Sequence, residues 1–419
     1  MPFELFISLR YLKAKRKSTF ISIITFISTA GVALGVMALI VVLAVMTGFE
    51  EDLKEKILGA NAHIVVVRNG APMDNYIKLM RELEGMKDVI ATTPFIYNQV
   101  MLSSGNNVSG VLLRGIDPRT DRNVTRLHSC IKEGNIDALE SEPGVGDSIP
   151  GIVIGKELAR HLRVSLNDRI NIISPIGGMT PLGMMPKMKA FRVAGIFYTG
   201  MFEYDSSMAY ISLRQAQAFF DLGDTVTGVQ LKVENVYNTG EITASINRTL
   251  GIDYHARDWM QMNRNILFAL KTEKIVMFII LTLIVLVAAF GIASTLFMVV
   301  MEKTRDIAIL KSMGTTGKSI MKIFVLEGLI IGVVGTVAGV ASGLLVALNL
   351  EPVIAFIQKV TGQDFFSKDI YYLDRFPSTV VASDVLLISV TAVTISFLAT
   401  LYPAWQASRM LPAEALRYE

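Results

Sequence analysis

The sequence contains one cysteine, Cys130, so no disulfide can form within the chain and no cysteine-based zinc site can be built. Histidine is nearly as scarce, and His63, His128, His161 and His255 show no metal-ligand spacing. Charge is the largest deficit. Charged residues are 18% of 419, where soluble domains carry about a quarter. Hydrophobic residues reach 52% and mean hydropathy is +0.47, which excludes an all-soluble chain and makes lipid the solvent for much of this one. The net charge of +3 is small and the basic residues are clustered, so nucleic acid is excluded as a partner. No Ser/His/Asp set or paired-carboxylate site stands out, and the chain is read as non-catalytic.

Present instead are four charge-free stretches, Ser18–Phe49, Ile275–Met301, Gly328–Leu350 and Val385–Ser408. Each is long enough, as a helix, to cross about 30 Å of hydrocarbon. Arg10, Lys13, Lys15, Arg16 and Lys17 precede the first, and Lys303, Arg305, Lys311, Lys318 and Lys322 separate the second from the third. This bias puts both termini and the 302–322 loop in the cytoplasm. The expected organisation is an amphipathic elbow helix over 1–19 and spans over 20–49, 275–301, 323–350 and 383–405. Residues 50–272 form an external domain, 302–322 a cytoplasmic loop, 351–382 an external connection and 406–419 a cytoplasmic tail.

The external segment has soluble character. His63–Val67, Tyr76–Leu83 and Val89–Thr93 read as strand, helix and strand, and Val226–Val233, Thr239–Leu250 and Ile252–His255 repeat the order. The fold class is therefore an α-helical membrane protein of four spans (1 + 3) with a large α+β domain inserted after the first. That domain is a split βαβ subdomain with a mainly β insert at about 118–222. Within the insert, Arg169–Ile173 and Phe191–Phe197 read as paired strands joined by a long proline- and methionine-rich loop. Met179, Thr180, Pro181, Leu182, Gly183, Met184, Met185 and Pro186, followed by Lys187 and Lys189, offer soft apolar surface and two cations. A protein partner and a fold-back onto the parent domain both suit that composition.

Two other features need a reading. Gly328, Gly332, Gly335, Gly339 and Gly343 share one face of the third span, and Gly31 and Gly35 one face of the first, which fits packing within the subunit or between subunits. Ser312–Ser319 ends in Gly-Lys-Ser, but a phosphate-binding loop needs glycine where Ser312 stands and a preceding strand, so nucleotide binding by this chain is rejected. Glu302–Lys322 reads instead as a short helix, Thr304–Ser312, stopped at Gly314 and restarted by Thr315 or Thr316. Lys303, Arg305, Asp306 and Lys311 form a charged face and Ile307, Ile309, Leu310 and Met313 an apolar one, between Glu302 and Gly314. Glu327 is expected to pair with Lys322 or Lys303.

These residues carry a family resemblance. The 1 + 3 layout, the Glu302–Gly314 segment and Glu327 resemble permeases of the MacB/FtsX superfamily of ABC transporters. Leu9–Leu12, Gly35–Leu39, Val45–Glu50, Leu401–Trp405 and Pro412–Glu419 are similar to the lipoprotein-releasing LolC/LolE type. The resemblance implies an inner-membrane subunit of a Gram-negative bacterium working with a LolD-like ATPase dimer, which alone would bind ATP and Mg. It implies a second, LolE-like permease or a second copy of this chain, a triacylated lipoprotein substrate and a LolA-like periplasmic carrier. In that family the long hairpin loop captures the carrier, and Thr180–Pro186 resembles it. The cavity for the lipoprotein is then expected along Met37, Ile40, Leu43 and Met46 of the first span and Phe278, Ile279 and Leu283 of the second. An FtsX-like mechanotransmitter acting on a cell-wall hydrolase and a MacB-like exporter subunit are the alternatives.

Overall fold

The computed structural model describes residues 3–13, 19–140, 149–175, 179–180, 183–184, 186–362 and 377–411. The chain opens with helices α1 (Phe3–Lys13) and α2 (Thr19–Ala60), then β1 (Ile64–Arg68), α3 (Tyr76–Glu84), β2 (Val89–Ser104) and β3 (Asn107–Ile116). Next come α4 (Pro118–Val124), α5 (Leu127–Cys130), β4 (Ile131–Gly134), β5 (Gly151–Gly155), α6 (Lys156–Leu162) and β6 (Arg169–Ser174). The short β7 (Met179–Thr180) and β8 (Gly183–Met184) precede β9 (Lys187–Phe197), α7 (Phe202–Ser207), β10 (Met208–Ser212) and α8 (Leu213–Phe220). After β11 (Gly228–Val233), α9 (Thr239–Leu250), β12 (Tyr254–Asp258) and α10 (Trp259–Met262), the remaining described elements are helices. They are α11 (Arg264–Glu302), α12 (Thr304–Ser312), α13 (Gly317–Leu348), α14 (Leu350–Thr361) and α15 (Ala382–Arg409). Two compact units result: a helical one (Met1–Asp52, Phe268–Phe366, Asp374–Glu419) and a sheet one built on Leu53–Leu267.

In the helical unit, α2, α11, α13 and α15 are each long and apolar enough to cross a membrane. Their seam is set by small residues. A side chain at Gly328 would meet Thr400 and Leu296, and one at Gly332 would meet Ser396 at 2.5 Å. Further along the same face, a side chain at Gly339 would meet the Ala33 carbonyl at 2.6 Å and Val36, and one at Gly343 would meet Ile40 at 3.1 Å. One half of the stripe therefore receives α15 and the other half α2, and a side chain at Gly35 would meet Val285 of α11 at 3.2 Å. Both glycine faces are used within the subunit, where close backbone approach replaces the hydrophobic effect that lipid cannot supply. Val32, Val36, Ile40, Leu43, Val285, Ile292 and Leu296 fill the space between the helices.

The sheet unit holds a ten-stranded sheet in the order β12-β1-β11-β2-β3-β10-β5-β9-β4, with β6 pairing both β2 and β9. At one end β11 lies between β1 and β2, antiparallel to both, and β1 lies between β11 and β12. At the other, β6 joins β9 back to β2, so the pairings β2-β3-β10-β5-β9-β6 close a ring of six strands. The ring takes two strands from outside residues 118–222, so the middle section is not a self-contained sheet. The cause is the length of β2: its first half pairs β11 and its second half pairs β6. Closure removes exposed strand edges. Val100, Leu102, Val111, Ile152, Ile154, Ile170, Ile172, Phe191 and Val193 alternate inward along the ring strands and fill its core.

Candidate functional site

The long loop grows out of the ring. The β6–β9 ladder runs from Arg169↔Arg192 to Ser174↔Lys187, and beyond it Met179↔Met184 and Thr180↔Gly183 pair at the tip. The segment is thus a two-stage hairpin. Pro181, Leu182 and Met185 lie outside the described residues. Pro186 is exposed at the hairpin base, where Met188 is also exposed.

Both lysines of the loop already have partners at that base. Lys187 Nζ donates to both oxygens of Asp221 at 2.7 Å and lies 5.9 Å from the Phe219 ring centroid. Lys189 Nζ donates to Gln215 Oε1 at 2.8 Å and lies 5.7 Å from the Phe191 ring. Partial burial, with Lys187 close by, lowers the Lys189 pKa. Asp221 closes α8 in the left-handed conformation, and Gln215 sits in its first turn, so α8 is the seat of the hairpin. The sequence signal missed was the pair Gln215 and Asp221, polar residues in the first turn and at the C-cap of α8.

At the other predicted site, helix Thr304–Ser312 ends before Gly314, whose φ of +99° favours glycine, and Thr316 caps α13 by accepting from Ser319 N–H. The predicted charged and apolar faces are redistributed. Ile307 is buried, with Leu310 partly so, against Val299, Val300, Ile320, Phe324 and Ala404. Lys311 Nζ donates to the carbonyls of Ser408 (2.6 Å) and Met410 (2.7 Å) at the end of α15. Lys303 lies 3.6 Å from Asp306 and over the ring of Tyr11, whose hydroxyl is pushed up to about 12 by burial and then by Asp306. What faces outward is Glu302, Arg305, Ile309, Met313 and Gly314, with Met313 79% exposed. Glu327 is buried, and its Oε2 has no hydrogen-bond partner; Lys303 is turned to Asp306 and Tyr11 instead.

The seven residues expected to line a cavity are not brought together. Ile40 and Leu43 are buried in the helix seam with Phe278 packed beside them, while Ile279 and Leu283 of α11 are more than half exposed. Met37 and Met46 are half-buried. Apolar composition marks both the seam and the lipid-facing side, so it does not separate them. Missed altogether was a polar junction of three helices: Lys274 Nζ of α11 bonds Thr47 Oγ1 of α2 and Asp384 Oδ2 of α15, each at 3.0 Å. On α2 and α11, Ser28 and Thr295 share a buried hydrogen bond of 2.7 Å.

Comparison with known proteins matches residues 25–249 to the MacB-like periplasmic core domain and residues 278–412 to the FtsX-like permease C-terminal family. The chain is 38% identical to the lipoprotein-releasing system transmembrane protein LolC of Neisseria meningitidis, covering 99% of both chains. It is 37% identical to the protein of the same name in Xylella fastidiosa, over 100% of this chain and 99% of that one. Against the LolE protein of Haemophilus influenzae identity is 30% over 98% of each. The four apolar helices and the inserted periplasmic-type domain agree with a multi-pass inner-membrane protein. The chain belongs to the LolC-type permeases of lipoprotein-releasing ABC transporters, in the MacB/FtsX superfamily.

Proposed function

We propose that this chain is the transmembrane permease subunit of an ATP-driven complex that extracts lipoproteins from a Gram-negative inner membrane and passes them to a soluble periplasmic carrier. The observation that carries the reading is full-length identity of 38% to a LolC protein. Both termini and α12 face the cytoplasm in this reading, in line with the basic residues around them. A separate ATPase dimer binds ATP and Mg. The second permease is a LolE-like subunit or another copy of this chain.

The ATPase docks on the outward face of α12, against Arg305, Ile309 and Met313. Its closure pushes a helix tied to α13 through Ile307 and to α15 through Lys311. Lipid-anchored substrate needs this input, since each buried CH₂ is worth about 0.8 kcal/mol and three acyl chains hold far above thermal energy. The acyl chains pass along the outward residues of α11, Ile279 and Leu283, and along Met37 and Met46 of α2. Ile40, Leu43 and Phe278 act from behind by fixing the seam.

The carrier is captured by the hairpin tip from Met179 to Pro186. A carrier carboxylate that approaches Lys187 competes with Asp221 for the ammonium, so docking is an exchange of ion pairs. The test reconstitutes the chain with its ATPase, second permease and a triacylated lipoprotein, and follows transfer to soluble carrier. Transfer is expected to require ATP and carrier. Pro181→Ala combined with Met184→Asp is expected to abolish carrier capture with ATPase association intact. Unchanged capture by that variant would remove the hairpin from the mechanism, and ATP turnover without transfer would remove lipoprotein release.

A further inference from the structure

Helix α14 has no buried residue, and four of its large apolar side chains fall on one stripe. Val353, Phe356, Ile357 and Val360 stand at i, i+3, i+4 and i+7, while Glu351 and Gln358 lie on the opposite side. Phe356 is 68% and Val360 69% exposed. In water such a stripe would be costly, at roughly 25 cal/mol for each Å² of apolar surface left exposed. The helix belongs to the same unit as the membrane-crossing helices and is separated from α13 by the single residue Asn349.

Its depth follows from the other end of α13. There α1 packs through Tyr11 against Phe324, with ring centroids 6.4 Å apart, and leaves Phe3, Phe6 and Leu9 exposed. The 24 residue steps from Phe324 to Leu348 rise about 36 Å at 1.5 Å per residue. That distance lies between a hydrocarbon core of about 30 Å and a full bilayer of about 40–45 Å. The stretch of α13 between the two apolar-faced helices thus matches the thickness of a single bilayer.

We infer that α14 lies in the plane of the outer leaflet, with Val353, Phe356, Ile357 and Val360 in the headgroup–acyl boundary and Glu351 and Gln358 in water. Its partner is phospholipid, and it fixes the depth of the helical unit on the leaflet opposite α1. The choice of leaflet rests on the orientation proposed above.

The test uses the full transporter in nanodiscs, with Cys130→Ser as background. Single cysteines at Phe356, Val360, Glu351 and Gln358 carry an environment-sensitive fluorophore, and the probe is phosphatidylcholine with brominated chains. Quenching at Phe356 and Val360 is expected to exceed that at Glu351 and Gln358 at least about twofold, as for a face sunk about 5–10 Å into the boundary. In proteoliposomes, a membrane-impermeant thiol reagent on the carrier side is expected to label Glu351→Cys. Equal quenching on the two faces, or crosslinking of Phe356→Cys to the second permease in place of quenching, would overturn the lipid contact. Labelling from the ATPase side alone would overturn the leaflet and the proposed orientation together while leaving the in-plane helix standing.

Discussion

The helical unit and the sheet unit hold themselves together by opposite means. The ring of the sheet unit is filled by large side chains such as Phe191, Ile172 and Leu102, all removed from solvent. In the helical unit the closest approaches are made where side chains are missing, at Gly332, Gly339 and Gly343, while large residues such as Phe26, Phe290 and Leu348 point outward. Water rewards burial of apolar area and lipid does not, so the same residue type means core in one unit and surface in the other. In lipid the informative residues are the small ones and the polar ones.

Truncation separates the two units most sharply. Phe191→Ala is expected to cost about 3–5 kcal/mol in the sheet unit, seen as rapid proteolysis of that unit in the purified protein. Phe290→Ala, on the exposed side of α11, is expected to leave thermal stability in detergent unchanged. Equal losses would break the comparison. Enlargement reverses the ranking. Gly339→Leu drives a side chain into the Ala33 carbonyl and Val36 and is expected to cost about 1–3 kcal/mol or more, read as a lowered melting point and loss of assembly with the ATPase. A change of the same size at exposed Gly110 of β3, where an added Cβ would meet nothing within 4 Å, is expected to be silent.

The smallest effect is electrostatic and confined to the sheet unit. Burial pushes the Asp121 carboxyl up to about 6, opposed by the hydrogen bond it accepts from Thr125. A carboxyl raised in the folded state binds more protons folded than unfolded between about pH 4 and 6. Its contribution to stability is therefore present at the acid end and lost as pH rises through 6. Asp121→Asn is expected to flatten that part of the pH–stability curve measured by near-UV circular dichroism. A slope unchanged by the substitution would show that another group produces it.

The sequence made the four apolar helices, the strand–helix–strand pairs and the short helix from Thr304 to Ser312 readable, because each rests on local periodicity or on a break such as Gly314. Closure of the ring was not readable. It depends on β2 serving two neighbours, a long-range choice that no local pattern records. The site residues divide along the same line. Arg305 and Met313 stay outward as a helical face predicts, but Lys311, read as part of a docking face, is spent on carbonyls about a hundred positions away. Ile40 and Leu43 turn into the helix seam, which apolarity in a span does not reveal. Lys274, Thr47 and Asp384 escaped notice because they sit at the ends of three separate stretches, each polar residue unremarkable alone.

Lys311 also bears on how the chain is made. The last carbonyls of a helix have no partner within it, and here a lysine on α12 supplies the donors and a positive charge at the negative end of the helix dipole. During synthesis that lysine leaves the ribosome well before Ser408 and Met410, so its ammonium must wait in water or among headgroups while α13, α14 and α15 are added. Until α15 is seated, α12 lacks this fastening and α15 lacks its cap. Helix α15 is thus a keystone in time as well as in space, and α12 takes its finished form only after α15 is in place.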